Sequence, residues 1–222
     1  MPAAAATTGP RSLYLPPFRV DLEIRTGVRR LVPAAPLARV LRTALLAGGA
    51  PEPAAVGLVL ADDAELARLN AAHMGRRGPT DVLSFPLLPP EAYPPHEGGP
   101  ARPPAPGRGS RTGALPGADP AFLLPPGARL HLGDIVVSVE RAIEQAEAGR
   151  GGQTGDVRWS PADELRLLVV HGGLHLCGWD HAEPAEEAAM RALEAAILAA
   201  MRRRPRRGVS ADLSGAPPFP PG

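Results

Sequence analysis

The sequence predicts an α+β domain, a small mixed four-stranded sheet packed with about five helices. Three observations lead there. Four short runs, at 18–24, 55–60, 81–85 and 134–138, are continuously apolar or alternate apolar with polar residues, which are the signals of buried and half-buried strands. Between and after them lie segments whose apolar residues recur at helical spacing. One of these, starting at Pro161, is apolar almost all round from Leu165 to Val170, so this helix is expected to be buried at the centre of the domain.

In chain order, residues 1–17 are small and proline-punctuated and read as a flexible leader before the alternation Phe18, Val20, Leu22, Ile24. From Pro36 onward, Leu37, Val40, Leu41, Ala44 and Leu45 mark an amphipathic helix that Gly48 and Gly49 end. The second strand is followed by Asp62 and, three residues on, Glu65, a capped helix start leading through Leu66 and Leu69. After the third strand, the stretch from Pro86 to Arg129 holds 13 prolines among glycines and polar residues. Neither periodicity survives there, so about 87–129 reads as a flexible insertion within a single catalytic domain spanning 18–201.

Order resumes at Gly133, with the fourth strand at 134–138 and a helix over 139–147 closed by Gly149. Ser160 offers a helix N-cap, Pro161 takes the first helical position where its missing donor is harmless, and Asp163 and Glu164 complement the helix dipole. A last amphipathic helix starts at Pro184 and runs through Met190, Leu193, Ile197 and Met201, with Glu187 and Arg191 at ion-pair spacing. Residues 202–222, arginine-rich and then proline-rich, read as a disordered tail.

Composition narrows the class. The 222 residues suffice for one domain with attached segments. No run of 18 or more apolar residues is present, and the N-terminus lacks the basic start and apolar stretch of a secretory signal. Cys177 is the single cysteine, which excludes an intramolecular disulfide framework and fits a reducing compartment. A cytoplasmic location is expected. All 24 basic residues are arginines, yet the net charge is only +1, so a nucleic-acid contact has to rest on local arginine clusters and not on a global field.

The chemistry concentrates in residues 171–181, which hold three of the six histidines. His171 and His175 are four residues apart on a predicted helix, so their imidazoles share one face, a turn apart. Gly178 can adopt the left-handed conformation that ends a helix, after which His181 returns a third nitrogen. Three histidines plus an open fourth position is the arrangement of catalytic zinc, whereas structural zinc usually has four protein ligands, often thiolates; one Zn²⁺ ion is therefore expected. The spacing also matches the metzincin proteases, in which a glutamate general base follows the first histidine. Gly172 occupies that position, so a peptide-hydrolysing site would lack its usual proton acceptor. The spacing alone leaves peptide and phosphodiester open.

HGGLHLCGWDH, residues 171–181, resembles the HGxLHLxGyDH signature of the YbeY endoribonucleases. LNAAHMGRRGPTDVLSFP (69–86) and LGDIVVSVERAIEQAEA (132–148) are similar to further segments of that family, in the same order, and Met190 follows the signature at a familiar distance. The resemblance spans roughly Val56 to Met201, apart from the insertion. It implies a zinc-dependent, single-strand-specific endoribonuclease built around a zincin-like metal-site helix, with His171, His175 and His181 as ligands. It also implies RNA as substrate, a role in maturing the 3′ end of small-subunit ribosomal RNA and in ribosome quality control, and the ribosome or its associated factors as partners; neither a membrane nor DNA is expected. Two features depart from the family. Met74 stands where members often carry an arginine thought to engage RNA, and the linker before the GDIV strand is normally much shorter. Arg76 and Arg77 are expected to supply the cation instead.

Other residues carry two readings each. Asp180 either orients a ligand imidazole and accepts a proton during attack, or serves a turn. Thr80, Asp81 and Ser84 either line the cleft, or Thr80 and Asp81 simply start a strand. Cys177 reads as a small buried hydrophobe in preference to a fourth ligand, which would close the catalytic position. The five arginines within 202–207 either attract RNA or form a solvated end. The competing functions are a zinc metallopeptidase and a non-catalytic ribosome-associated protein whose zinc staples the fold.

Overall fold

A computed structural model describes residues 9–96, 99, 129–149 and 159–202 of the chain. In order these form β1 (Arg11–Leu15), β2 (Phe18–Ile24), α1 (Ala34–Ala47), β3 (Ala54–Ala61), α2 (Asp63–Leu69), β4 (Val82–Pro86), β5 (Leu130–Ser138), α3 (Val139–Glu147), α4 (Pro161–Leu176) and α5 (Pro184–Arg202). A five-residue π-helical turn, Asn70–Met74, extends α2, and a short 3₁₀ turn covers Pro90–Ala92. The sheet order is β1-β2-β3-β5-β4. Its centre, β2, β3 and β5, is parallel, and the edge strands β1 and β4 run antiparallel to their neighbours.

The α+β expectation holds, with one strand more than the four expected. β1 lies in the segment read as a flexible leader: Arg11 pairs with Leu22 and Leu15 with Phe18 across a turn at Pro16 and Pro17. Those prolines turn a hairpin and do not mark a flexible leader. Residues 1–8 of the expected leader lie outside the described residues. The expected insertion at 87–129 is likewise ordered at its ends. Leu88 and Tyr93 are buried, and Arg129 donates to the Pro17 carbonyl at 3.0 Å and stacks over Tyr14. β5 begins at Leu130, four residues before the expected strand, because Leu132 is fully buried. Residues 97–98 and 100–128 of the insertion, and 203–222 of the expected tail, lie outside the described residues; Arg202 still belongs to α5.

The two faces of the sheet bury different sets of side chains. Phe18, Val20, Leu22, Val56, Leu58, Ile135 and Val137 belong to the large core with α1, α3, α4 and α5. Leu83 and Val136 pack on the opposite side with Leu66 of α2. Covered on both faces, β3 reads in the sequence as a continuous apolar run, as central parallel strands do. The helix starts are set locally as expected: Asp62 accepts from the Glu65 N–H at 2.8 Å, and Ser160 and Asp163 close a reciprocal capping box behind Pro161.

α4 lies against α1, α3, α5, β4 and β5, with Leu165, Leu168, Val169, Val170 and Leu174 buried. Its second half approaches its neighbours too closely for side chains. A Cβ at Gly172 would sit 2.7 Å from the Ile135 Cγ2, and one at Gly173 would sit 3.0 Å from the Leu41 Cδ1. This glycine pair lets α4 slide between the sheet and α1. Because Leu168 is enclosed on all sides, Leu168→Ala is expected to lower the unfolding free energy by about 2–5 kcal/mol, measured by urea unfolding.

Candidate metal centre

Gly178 ends α4 and turns the chain back on itself. With φ at +81° it takes the left-handed conformation, its N–H donates to the His175 carbonyl at 3.0 Å, and the Trp179 N–H donates to the Leu174 carbonyl at 3.2 Å. That pair of bonds is a Schellman motif. It returns the backbone so that the Trp179 carbonyl accepts from His175 Nδ1 at 2.7 Å, and His181 comes back over the helix end.

The three expected ligands converge. One ligand atom from each of His171, His175 and His181 can be chosen so that all lie within 4.8 Å of one another. The His171 and His175 Nε2 atoms are 3.0 Å apart, close to the roughly 3.3 Å that two nitrogens subtend on a tetrahedral zinc. The His181 ring lies 5.7 Å from that of His171 and 5.2 Å from that of His175, centroid to centroid. Among the described residues this is the one histidine, cysteine and carboxylate grouping of metal-binding geometry.

Hydrogen bonding orients the two helical imidazoles. A carbonyl can only accept, so His175 carries its proton on Nδ1 and presents a bare Nε2. His171 Nδ1 donates to Glu194 Oε1 at 2.7 Å, which turns its Nε2 toward that of His175. Two imidazole nitrogens at 3.0 Å need a proton or a metal ion between them, and neutral rings leave both lone pairs available for the metal. The donor set therefore fits a borderline-soft divalent ion that accepts neutral imidazoles. Burial, with a smaller contribution from neighbouring His171, pushes His175 down to about 4, so it stays neutral and ligand-competent near neutral pH.

The remaining expected residues divide. Ser84 does meet the metal helix: its hydroxyl donates to the Gly172 carbonyl at 3.0 Å. Asp81 serves the strand instead, since its carboxylate accepts from the Val82 N–H and from Gln145, and Thr80 donates to it. Asp180 is exposed and caps the backbone N–H of His181 at 2.8 Å. Arg76 and Arg77 are exposed in the loop that precedes β4, which Asn70 ties down through the Gly78 carbonyl at 2.9 Å. Cys177 is fully buried, and burial pushes its thiol up to about 12; it packs on Gly48 as a hydrophobe and is not part of the histidine grouping. Of the five arginines within 202–207, only Arg202 is described.

Three participants were not anticipated. Glu194 breaks the apolar stripe of α5 between Met190 and Ile197 and is buried, and that break was its visible signal. The Trp179 carbonyl has none, because every residue carries a carbonyl. His96, in the expected insertion, stacks on Trp179 at 4.1 Å and bonds Glu186 at 2.6 Å, while the same Glu186 oxygen accepts from the Asp180 N–H at 3.0 Å. The stem of the insertion thus packs on the turn between His175 and His181.

Gly172 bears on the chemistry as well as on packing. Its missing side chain would meet Ile135, Val82 and Ser84 at 2.7, 3.0 and 3.2 Å, so the position where a metzincin places its glutamate faces the sheet here. Gly172→Ala is expected to destabilise the fold by about 1–3 kcal/mol through overpacking, read by urea unfolding.

A second expectation concerns pH. The folded-state value of His175, about 4, lies below the roughly 6.5 of a free histidine, so the unfolded chain takes up the proton first. Its contribution to stability is full above pH ~6.5 and is lost as the pH falls toward ~4, by on the order of 3 kcal/mol. Urea unfolding of the metal-free protein from pH 7 to 4 should show this loss, and a His175→Ala variant should lack that component.

Comparison with known proteins gives one consistent result. The family model described as "Endoribonuclease YbeY" matches residues 33–202. A protein of that name from Roseiflexus sp. (strain RS-1) is 36% identical over 183 residues, covering 82% of this chain and 92% of the relative. One from Salinispora tropica is 42% identical over 164 residues, covering 73% and 84%, and one from Moorella thermoacetica is 39% identical over 168 residues, covering 76% and 86%.

Proposed function

Because this chain belongs to the YbeY family, we propose that it is a zinc-dependent endoribonuclease that hydrolyses single-stranded RNA. The observation that carries the metal assignment is the pair of facing Nε2 atoms at 3.0 Å, with His181 beside them. His171, His175 and His181 hold one zinc ion and leave a fourth position open. When bound, zinc lowers the pKa of water and polarises a phosphoryl oxygen, both of which suit phosphodiester hydrolysis near neutral pH. No helix among the described residues is long and apolar enough to cross a membrane.

The chain's own residues take the other roles. Asp180, an exposed carboxylate beside His181, accepts the proton released by the attacking water. Arg76 and Arg77 present planar guanidinium groups that pair with phosphate oxygens, in place of the arginine that Met74 replaces. With a net charge of only +1, binding rests on such local contacts and should weaken only modestly with salt, since the slope scales with the number of phosphates contacted. The substrate we propose is ribosomal RNA, at the 3′ end of the small-subunit species, with the ribosome or its associated factors delivering it in the cytoplasm.

The test starts with bound zinc by elemental analysis and continues with cleavage of single-stranded RNA and of casein by the wild type and His175→Ala. Expected are one zinc per chain, cleavage of RNA and not casein, and loss of activity on chelation that added zinc restores. His175→Ala should lose more than the roughly 10–100-fold that an outer hydrogen bond costs, while circular dichroism shows most of the fold retained. Casein cleavage without RNA cleavage overturns the assignment in favour of a peptidase. Unfolding of His175→Ala in step with loss of zinc supports a metal that only staples the fold.

A further inference from the structure

We infer that Glu194 is the positioning residue of the metal centre: its carboxylate holds the His171 ring in place through Nδ1 and strengthens its Nε2 as a donor to zinc. The inference rests on the zinc reading above and assigns a role to a side chain on α5, outside the histidine signature.

Glu194 sits in the middle of the buried face of α5, with Met190 one turn before it and Ile197 one turn after. Its side chain is 12% exposed. Removing an ionised carboxylate from water costs several kcal/mol unless a partner compensates, so a glutamate in this stripe requires one. His171 Nδ1 at 2.7 Å meets that requirement, and the α4–α5 contact brings the two helices together along this seam.

The bond has three consequences. Glu194 selects the Nδ1–H tautomer of His171, so the lone pair points toward His175 and His181. It fixes the rotation of the ring, which otherwise turns freely about its bond to Cβ. It also places a negative charge behind the imidazole, which makes Nε2 more basic and offsets part of the charge of a divalent ion. His175 is held differently, by the neutral Trp179 carbonyl. The two helical ligands thus have unequal outer partners, and His171 is the one whose donor strength depends on a charge.

The experiment measures zinc affinity by competition with a chromophoric chelator for the wild type, Glu194→Gln and Glu194→Ala, with circular dichroism and thermal melts on each. It also records the His171 Nδ1 proton by NMR in the zinc-loaded proteins. Glu194→Ala is expected to weaken zinc binding about 10–100-fold. Glu194→Gln, which keeps an acceptor of the same shape and loses the charge, should fall between it and the wild type. The downfield Nδ1 proton of the wild type should move upfield in Glu194→Gln and vanish by exchange in Glu194→Ala.

A purely structural role would lower the melting temperature of Glu194→Ala while leaving the zinc affinity of folded Glu194→Gln and the Nδ1 resonance unchanged; that result overturns the inference. If Glu194→Ala does not fold, Glu194→Gln decides alone. A wild type that binds no zinc overturns the zinc reading and this inference with it, whereas a zinc-binding wild type with unaffected variants overturns this inference only.

Discussion

The close approach of α4 to the sheet at Gly172 is the constraint on which the centre depends. Ile135 and Val82 leave no room for a Cβ there, and Ser84 uses the gap to bond the Gly172 carbonyl at 3.0 Å. Gly173 makes the same allowance on the side of α1. A helix gripped on both flanks has little freedom to rotate or translate, so His171 and His175 inherit its position. Interiors packed to crystal-like density transmit such placement with little slack. The same glycine that seats the helix removes the glutamate a peptidase of this spacing would use.

Placement by a helix fixes where the rings start, and hydrogen bonds fix where they point. His171 is turned by a buried carboxylate and His175 by a backbone carbonyl. Both partners accept a hydrogen bond from Nδ1, and both leave Nε2 to face inward. The outcome is a histidine cluster whose two helical members are already oriented, the kind of preorganisation that lowers the ordering cost of binding. His181 is held less directly, by a turn that Gly178 opens and that Asp180 and Glu186 brace through backbone N–H groups.

That turn also joins the centre to the rest of the chain. His96 lies flat on Trp179 and bonds Glu186, so the stem of the insertion supports the residue whose carbonyl holds His175. At the far end, Arg129 bonds the Pro17 carbonyl in the β1–β2 turn. Stacking and charge, which leave no hydrophobic periodicity in the sequence, thus help fasten both stems, beside the burial of Leu88 and Tyr93 in the first.

Much was legible from the sequence alone. The strands at 18–24, 55–60, 81–85 and 134–138, the capped helix starts at Asp62 and Ser160, the buried run of α4 and the three histidines all follow from periodicity, capping chemistry and spacing, which are local properties. β1 was missed because the prolines at 16 and 17 turn a hairpin, and the ordered stems because their order comes from packing against distant residues. Glu194 was visible only as a polar break in the stripe of α5, since its partner lies 23 residues away on another helix. The sequence by itself determined where the three histidines fall; the tertiary structure decided what stands behind His171 and His175, because a hydrogen bond across a core depends on packing that no local pattern encodes.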